Sequence, residues 1–394
     1  MGWPLVKIKE CCTVFGGATP KRDAPEYWGN DFPWITPKDI SNLEQPVLED
    51  APEYISKAGY DSAATYMLPK GAILLTSRAP IGNVAIAGRE MCTNQGFKSL
   101  VPGEDVDSKY LYYCMKRMAP KLESIGNGAT FKEVSKTIVE DFEIPLPQLK
   151  EQKRIAAILD KADAIRRKRQ QAIQLADEFL RSVFLDMFGD PAINPMAWSK
   201  CHLGELVILG PDNGIFKKNS EYGNGMPVVW VEQLYKGDVL NIAGSRRLEP
   251  TEKELEKYGL NNGDIVFCRS SLKREGIGFN NIYDGADGGA LFECHMTRIR
   301  LNQNQVNPYF VNFLLKMKNM RRHVIAQSKT VTMTTIDQDG ISRIEIIVPP
   351  KDKQDKFSEI FRNVITQKHI HIRFNDEANH AFSSLNQRAF QGGL

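Results

Sequence analysis

Polar side chains that can hydrogen-bond to bases and phosphates gather in the segments that follow predicted strands. In the first half of the chain these segments are Thr76–Asn83, Thr93–Lys98 and Gly126–Lys132, and in the second half they include Arg269–Arg274 and Ser328–Thr332. Arg and Lys recognise guanine edges, Asn and Gln recognise adenine, and Lys, Ser and Thr hold phosphate. The residues predicted to contact DNA are Arg78, Asn83, Asn94, Gln95, Lys98, Thr130, Lys132, Arg246, Arg247, Arg269, Ser271, Lys273, Arg274, Lys329 and Thr332.

Two arginines carry most of this argument. Arg78 and Arg269 are predicted to occupy matching places, because each comes just after the strand that follows a glycine, Gly71 or Gly263. Polar residues populate loops in any protein, so each single assignment competes with an ordinary solvated loop. The basic run Arg166–Arg169 also has two interpretations, a solvated helix face or a contact with phosphate or a partner.

The sequence lacks the short motifs of several enzyme classes. No G-x-G-x-x-G follows a predicted strand, and there is no G-x-x-x-x-G-K-[ST], G-x-S-x-G or H-E-x-x-H. There is also no Asn/Asp-Pro-Pro-aromatic tetrad of the kind with which an amino-methyltransferase holds its target base. His369 and His371 point to different faces of a predicted helix, and no cysteine or acid completes a metal site with them. These absences favour a binding or assembly protein over an enzyme.

Composition sets the broad class of the molecule. A chain of 394 residues is too long for one ordinary core, so two or more domains are expected. The 51 basic and 48 acidic residues give a net charge of only +3, so any basic surface must be local. The seven cysteines form no C-x-x-C pair, which favours reduced thiols. Neither a signal peptide nor an apolar run long enough to span a membrane is predicted.

A long helix is predicted from Pro147 to Gly189. Its apolar and small residues recur at alternating spacings of three and four, which is typical of a helix that packs against another helix. Pro147 suits a first helical turn, and Gly189 followed by Pro191 ends the helix. The predicted helix–helix seam consists of Ile155, Ile158, Ala162, Ile165, Phe179 and Val183.

The second half of the chain repeats the first. An offset of 202 residues relates Gln152 to Gln354 and holds over some sixty residues around this pair. An earlier offset of 192 relates Gly71 to Gly263, so the second copy gains about ten residues, which we assign to an added hairpin or loop at Ser271–Gly289. The offset of 202 predicts a second seam at Phe357, Ile360, Val364, Phe374 and Leu385.

The predicted fold class is α+β, with two similar strand-rich domains separated by two long antiparallel helices. Each helix carries an apolar stripe that it cannot bury alone, so the two are predicted to form a coiled coil with each other. The result is an internal repeat with pseudo-twofold symmetry. The predicted boundaries are 1–147 for the first domain, 148–190 for the central helix, 191–350 for the second domain and 351–394 for the C-terminal helix.

Several motifs together give a stronger signal than any one of them. They are Arg78-x-Pro80-Ile81-Gly82, Asn94-Gln95-Gly96, Gly128-Ala129-Thr130, Ile144-Pro145-Leu146-Pro147-Gln148-Leu149-x-Glu151-Gln152, Phe184–Pro191 and Leu385-x-x-Arg388-Ala389-Phe390. With these residues the chain resembles the specificity subunits of type I restriction–modification systems over nearly its whole length. The second copy departs from the pattern, because Lys353 stands where the first copy has Glu151 and an Asn-Gln-Gly match is missing.

The resemblance implies two target-recognition domains that each read one half of a split, asymmetric sequence in double-stranded DNA. It implies no catalytic residue, metal or cofactor in this chain. The partners would be two methyltransferase subunits that carry S-adenosylmethionine, and through them restriction subunits that use ATP and Mg²⁺, in the cytoplasm of a bacterium or archaeon. Two alternatives from other classes are a stand-alone enzyme that acts on DNA and a structural scaffold.

Overall fold

The computed structural model describes residues 2–127, 132–330 and 334–394. The chain divides into two compact units: unit 1 contains the residues up to Gln171 together with Ile372–Leu394, and unit 2 contains Ala172–His371. Two of the predicted DNA-binding residues, Thr130 and Thr332, lie outside the described residues, as does the motif Gly128-Ala129-Thr130. In the part of the chain that is described, no helix is long and apolar enough to cross a membrane.

Unit 1 contains the elements of the first half of the chain. The strands are β1 Leu5–Lys7, β2 Cys12–Gly16, β3 Trp28–Ile35, β4 Val47–Leu48, β5 Glu53–Ile55, β6 Ile73–Leu75, β7 Val84–Ala87, β8 Cys92–Thr93, β9 Lys98–Pro102 and β10 Glu143–Pro145. The helices are α1 Ile8–Cys11, α2 Pro37–Ser41, α3 Lys57–Ser62, α4 Ser108–Ser124, α5 Lys136–Glu140 and α6 Leu149–Phe188, with a 3₁₀ turn at Pro25–Tyr27. Helix α6 continues into unit 2 and forms where the long helix was predicted.

Unit 1 contains several sheets, and its buried apolar residues form more than one cluster. One sheet has the strand order β2-β9-β6-β7-β4, a second has the order β5-β3-β8, and β1 pairs with β10. Helix α4 begins where the side chain of Asp107 accepts a hydrogen bond from the backbone N–H of Tyr110 at 2.9 Å. Its apolar face packs into a core that includes Ile144 and Ile155. The first domain is thereby attached to the N-terminal half of α6.

Unit 2 contains the corresponding elements of the second half. The strands are β11 Lys200–His202, β12 Val207–Asn213, β13 Met226–Val229, β14 Arg247–Leu248, β15 Gly259–Leu260, β16 Ile265–Cys268, β17 Ser270–Ser271, β18 Asn280–Ile282, β19 Ala290–Phe292, β20 Met296–Leu301, β21 Lys329–Thr330, β22 Thr334–Thr335 and β23 Glu345–Ile347. The helices are α7 Val231–Leu234, α8 Glu252–Tyr258, α9 Pro308–Lys316, α10 Lys318–Ala326, α11 Gln338–Ser342 and α12 Lys351–Gln391. Its 3₁₀ turns lie at Leu203–Leu206, Asn219–Glu221 and Arg274–Gly276.

The sheets of unit 2 repeat those of unit 1 with additions. The orders are β12-β20-β16-β18, β14-β13-β19-β15, β17-β22-β21 and β11-β23. The parallel pair β13–β19 corresponds to the parallel pair β3–β8, and the antiparallel pair β16–β20 corresponds to β6–β9. Strands β15, β17, β21 and β22 have no counterpart among the named strands of unit 1. The internal repeat predicted from the sequence is therefore a repeat of strand pairing.

Strand register shows where the second copy is longer. Ile73 and Ile265 differ by 192, but their antiparallel partners Ile86 and Ile282 differ by 196. Cys92 and Leu291, which occupy equivalent places in β8 and β19, differ by 199. Most of the added residues therefore lie in the predicted stretch, Ser271–Gly289. The remaining additions follow β20, where the offset rises to its final value of 202.

Within unit 1, the first part of α6 and the last part of α12 pack antiparallel. Ile155 shares a core with Ala389 and Phe390, whereas Arg169 donates a hydrogen bond to the carbonyl oxygen of Phe374. Rising residue numbers on α6 thus meet falling numbers on α12. The guanidinium of Arg166 lies 5.2 Å from the ring centroid of Phe382. Antiparallel packing was predicted, and it is present in this unit.

Within unit 2, the last part of α6 and the first part of α12 also pack antiparallel. Phe184 and Phe188 contact Phe357 with ring centroids 5.3 and 5.8 Å apart. Farther along, the side chain of Lys368 donates a hydrogen bond to Asp177 of α6. Lys368 also donates to Asp238 Oδ2 at 2.9 Å, so an acid from the globular domain enters the helix seam.

The residues of the predicted seam differ in burial. Ile165, Phe179 and Phe374 are 44%, 51% and 38% exposed, although the ring centroid of Phe374 lies 5.3 Å from the guanidinium of Arg169 on α6. Ile155 and Phe357 are buried, and Ile158, Ala162, Val183, Ile360, Val364 and Leu385 are partly buried.

The buried line instead follows Gln152, Ala156, Leu159 and Asp163 on α6, with matching positions at Gln354, Ser358, Phe361 and Ile365 on α12. Several of these side chains are polar but hydrogen-bonded, and a hydrogen-bonded polar side chain tolerates burial. A prediction based on apolar type alone passes over them.

Candidate nucleic-acid interface

A group of polar side chains in unit 1 converges on the carboxylate of Glu133. Lys98 Nζ lies 3.5 Å from Glu133 Oε1, and Arg78 Nη1 lies 3.9 Å from Glu133 Oε2. Lys98 also donates to the hydroxyl of Ser77 at 3.4 Å. Glu133 therefore partly neutralises two cations predicted to meet DNA, and it holds their charged ends close together.

Backbone hydrogen bonds fix the position of this group. The N–H of Ser77 donates to the carbonyl of Gly96 at 2.8 Å, and the N–H of Val134 donates to the carbonyl of Ser77 at 3.0 Å. Lys98 begins β9 directly after this contact. Three segments far apart in sequence thus meet at Ser77. Arg78 and Lys98 lie close together because each is within two residues of these backbone hydrogen bonds.

The other predicted residues of unit 1 divide into structural and exposed ones. Asn94 Oδ1 accepts a hydrogen bond from the backbone N–H of Gly96 at 2.8 Å, and Gln95 accepts one from the hydroxyl of Thr19. Asn83 Nδ2 donates to Ser41 Oγ at 3.3 Å. Lys132 is exposed. The amides of this set thus also serve to shape the loops that carry them.

A cavity of about 490 Å³ opens on the surface of unit 2. Trp230, Arg246, Glu293 and His295 line it, together with Val231, Glu232, Gln233 and Gly244. The guanidinium of Arg246 lies 4.5 Å from the ring centroid of Trp230, which is a cation–π arrangement. The side chains of Arg246 and Trp230 thus lie over one another in the lining of the cavity.

Glu293 positions His295 in this cavity. The Glu293 carboxylate is buried, and its Oε2 accepts hydrogen bonds from the backbone N–H of His295 at 2.9 Å and from its ring Nδ1 at 2.7 Å. This pairing leaves the other ring nitrogen, Nε2, free of Glu293, and the imidazole is exposed. The cavity therefore combines a fixed imidazole, a stacked guanidinium and a buried carboxylate.

Glu293, Cys294 and His295 also form the group of possible metal ligands found among residues 2–127, 132–330 and 334–394. Their ligand atoms lie within 4.8 Å of one another. Burial and the nearby Glu293 carboxylate raise the pKa of the Cys294 thiol, and a neutral thiol is a poor ligand. The ring Nδ1 is already hydrogen-bonded to Glu293. The chemistry of this set thus fits a hydrogen-bonded loop better than a metal centre, and His369 and His371 are exposed on α12.

Arg269 sits beside this cavity, but its counterpart in unit 1 is Ser77 rather than Arg78. The N–H of Arg269 donates to the carbonyl of His295 at 2.8 Å, and its own carbonyl accepts from Ile336 at 3.0 Å. Ser77 makes the same two bonds in unit 1. The prediction that Arg78 and Arg269 match is therefore wrong by one residue. The prediction was based on residue type near the two strands. The backbone hydrogen bonds of the strands show instead that Ser77 and Arg269 are the equivalent residues.

The remaining predicted residues of unit 2 lie around Arg269. Lys273 and Arg274 are exposed, and Ser271 shapes the turn between them and β17. Lys329 forms an ion pair with Asp337 at 2.9 Å. Arg247 donates to the carbonyl of Gly225 at 2.6 Å, which is a structural contact between β14 and the loop before β13.

The basic run on α6 has mixed surroundings. Arg166 and Arg167 both pair with Asp163, at 2.6 and 3.1 Å, and Arg169 contacts the opposite helix. Lys168 is exposed. The three arginines of this run therefore make contacts within the helix pair, and only Lys168 is left as an exposed cation.

Trp230 and Glu293 line the cavity but were not predicted as site residues. The apolar run Val228–Val231 predicts a strand, and Trp230 was interpreted only as part of it. Glu293 occupies the place of Asn94, since each donates its N–H to the end of the neighbouring parallel strand, at Val229 and Ile35. A search of the second copy for Asn-Gln-Gly misses this place, because Glu293-Cys294-His295 replaces it. A strand-register alignment of the two copies is the signal that finds it.

Known proteins are similar to this chain over almost all of its length. The sequence model of the family described as type I restriction modification DNA specificity domain matches residues 1–175 and 195–379. The specificity subunit of the type I restriction enzyme MjaIX from Methanocaldococcus jannaschii is 31% identical over 403 residues, which cover 94% of this chain and 89% of that protein. The StySPI specificity subunit from Salmonella potsdam is 22% identical and covers 100% and 89%.

A solved structure shows the same fold. The S subunit of a type I restriction–modification system from M. genitalium superposes with a TM-score of 0.66 at 13% identity, covering 99% of this chain and 96% of that one. The two matched regions of the family also coincide with the two repeats described above. This chain, with its two repeated domains and two long helices, therefore belongs to the specificity subunits of type I restriction–modification systems.

Proposed function

We propose that each globular domain reads one half of a bipartite, asymmetric DNA sequence. The first domain, proposed to span residues 1–147, uses the group around Glu133. The second, proposed to span 191–350, uses the cavity beside Arg269. The observation that supports this most is that two equivalent places in the repeat carry different chemistry, with Ser77 in one copy and Arg269 in the other. Different donors on one scaffold suit two different half-sites.

The helix pair, proposed to comprise residues 148–190 and 351–394, sets the gap between the half-sites. Its antiparallel packing within each unit supports this role, because a packed helix pair has a fixed length per residue. Tethering two recognition domains adds the affinity of each half-site to the other, provided that the spacing fits.

Catalysis then resides in the partners. In this proposal two methyltransferase subunits bring S-adenosylmethionine for adenine-N6 methylation, and restriction subunits bring ATP and Mg²⁺. Partner subunits would also supply much of the phosphate contact, which agrees with the low net charge of +3. The complex would act on DNA in the cytoplasm of its host.

Replacing one arginine at a time tests the assignment of the domains. Arg269→Ala should weaken methylation of the native sequence and relax discrimination in one half-site, and Arg78→Ala should do so in the other half-site. Each bidentate base contact is worth roughly 1–3 kcal/mol of discrimination. Sequencing the methylated adenines of host DNA, with and without each variant, provides the readout. Full methylation of the native site by both variants would refute these two residues as readers.

Two measurements separate this function from the alternatives. The purified chain is incubated alone with DNA, Mg²⁺ and S-adenosylmethionine, and any cleavage or methyl transfer would indicate a stand-alone enzyme. A DNA mobility shift that depends on salt and on the methyltransferase partner would exclude a scaffold without a DNA role.

A further inference from the structure

The turn between Arg269 and Gly278 presents an apolar side chain to solvent. Leu272 is 89% exposed, more than any other large apolar residue among the described part of the chain. The turn lies in the segment where the offset between the repeats rises from 192 to 196, so it is four residues longer than its counterpart in unit 1. The exposed leucine is therefore part of an addition specific to the second domain.

The tip of this turn is closed by its own hydrogen bonds. Ser271 Oγ donates to the carbonyl of Lys273 at 2.7 Å and accepts from the N–H of Lys273 at 3.2 Å. Leu272 lies between these two residues. Hydrogen bonds of Ser271 thus close the tip of the turn around Leu272, whose side chain is exposed to solvent.

The base of the turn is anchored from another helix. The guanidinium of Arg321, on α10, donates to the carbonyls of Gly278 and Ile277 at 2.7 Å each and to that of Glu275 at 3.0 Å. The hydroxyl of Tyr235 donates to the carbonyl of Gly276 at 2.9 Å. A rigid turn loses little conformational entropy on binding, so contacts made by its tip are retained as affinity.

Cations flank the leucine. Lys273 and Arg274 are exposed, and no side-chain hydrogen bond or ion pair of either was found within residues 2–127, 132–330 and 334–394. Arg269 stands at the start of the turn, and Glu275 is the one acid between Arg269 and Gly278 in the sequence. An apolar tip between cations complements a surface with anionic edges and an apolar interior. Duplex DNA has this arrangement, with phosphates at the rims of each groove and thymine methyls or base faces inside.

We propose that Leu272 makes an apolar contact with a base of the half-site read by the second domain, while Lys273 and Arg274 hold the adjacent phosphates. This inference rests on the proposed function and adds a residue that determines specificity. The apolar contact has two possible sources, the 5-methyl group of a thymine or the face of a base at an opened step. In either case Leu272 contributes sequence dependence and the two cations contribute general affinity.

The test uses the full chain in complex with its methyltransferase subunits. Leu272→Ala should weaken binding to the native duplex roughly ten-fold, within the range of one base-pair contact. Lys273→Ala should weaken binding to all sequences and lower the slope of log affinity against log salt by about 1. Ile208→Ala is the matched control, because it also removes an exposed apolar side chain of unit 2 and should leave binding unchanged.

Two DNA probes identify the contact. In the first, single thymines of the half-site are replaced by uracil, which lacks the methyl group. A loss with wild-type protein that disappears with Leu272→Ala supports a methyl contact. In the second, 2-aminopurine replaces single adenines, and a fluorescence increase that depends on Leu272 supports an opened step. Wild-type affinity of Leu272→Ala for the native duplex would overturn the inference. Failure of the wild-type complex to distinguish the native site from a scrambled one would instead overturn the proposed function.

Discussion

Gln152 and Gln354 make two equivalent hydrogen bonds in the two halves of the chain. Each side chain is buried, and each Oε1 accepts from the first backbone N–H before a helix, that of Asp107 or Asn307, at 2.9 Å. Each Nε2 donates to the carbonyl of the proline five residues earlier, at 2.8 and 2.6 Å. The start of each long helix is thus attached to the start of a shorter helix in the adjoining domain.

Removal of either amide should therefore destabilise its own unit. Gln354→Leu leaves the N–H of Asn307 without its acceptor, and an unsatisfied buried donor costs roughly 1–3 kcal/mol. We expect a lower midpoint of thermal unfolding for Gln354→Leu and a similar loss for Gln152→Leu. Gln367→Leu, at an exposed position of the same helix, is the control. Equal midpoints for the buried and exposed variants would show that these bonds contribute nothing.

The ionic contact of Lys368 should stabilise the helix pair in unit 2. Lys368→Met leaves Asp177 and Asp238 without their cation, and we expect a loss of roughly 1–3 kcal/mol, below the full effect of a buried pair because Asp177 is half exposed. Urea unfolding measures this loss. Lys57→Met, which breaks an exposed pair with Asp61, should change stability by less than about 0.5 kcal/mol.

A double-mutant cycle assigns the effect to the pair. If Lys368 acts through Asp177, the combination of Lys368→Met with Asp177→Asn should cost less than the two single changes together. Simple additivity of the two changes would place the effect of Lys368 elsewhere in the seam.

Lys316 should give the stability of unit 2 a characteristic pH dependence. Burial lowers the pKa of Lys316 from 10.5 to about 8, and its ammonium donates to Asn281 Oδ1 at 2.9 Å. Between pH 8 and 10.5 the unfolded chain binds a proton that the folded chain has released, so the contribution of this group to the unfolding free energy rises with pH. Below pH 8 both states are protonated and the contribution is constant.

The comparison of wild type with Lys316→Met isolates this term, because tyrosines and cysteines also titrate in the window. The difference in unfolding free energy should change in favour of wild type by at most about 3 kcal/mol between pH 8 and 10.5. Parallel stability profiles for the two proteins would contradict the lowered pKa.

The length of the helix pair should govern the preferred gap. Four residues are inserted after Gln170 and four after His371, because the contact of Arg169 with Phe374 places these points at the same level. Each helix then grows by about 6 Å, close to the rise of two base pairs. We expect the preferred gap to change by one or two base pairs, measured by methylation of duplexes with a series of gap lengths.

The single insertions are the controls for this experiment. An insertion in α6 alone shifts the two helices out of register across the insertion point, so that the contacts of Arg169 with Phe374 and of Lys368 with Asp177 cannot both form. We expect it to abolish methylation at every gap. An unchanged optimum in the double insertion would contradict the role of the helices as a spacer.

The sequence predicts the scaffold well because its signals are repeated and local. The offset of 202 marks both long helices, and short apolar runs mark β6, β7 and β16. The apolar residues from Val139 to Leu146 predict one strand, but α5 occupies Lys136–Glu140 and the strand β10 covers only Glu143–Pro145. The side chain of Ser135 accepts a hydrogen bond from the backbone N–H of Ile138 and so caps α5. A prediction based on apolar residues does not include this cap.

The candidate sites are harder to predict, because tertiary pairing assembles them. Glu293 and Trp230 line the same cavity because β13 and β19 pair in parallel, and nothing local to either residue indicates this. The seam is obscured for a different reason. Asp163 and Lys368 are buried because each has a partner, Arg166 or Asp177, that the pattern of apolar residues does not include.

The unequal lengths of the two copies bear on how such a protein diversifies. The second copy has extra residues at several places between β16 and the second long helix, yet its pairs β13–β19, β16–β18 and β16–β20 match the pairs β3–β8, β6–β7 and β6–β9. The paired strands can thus stay the same while the loops between them change. A lineage can therefore acquire a new loop, such as the one that carries Leu272, in a single duplication or insertion without first evolving a new fold.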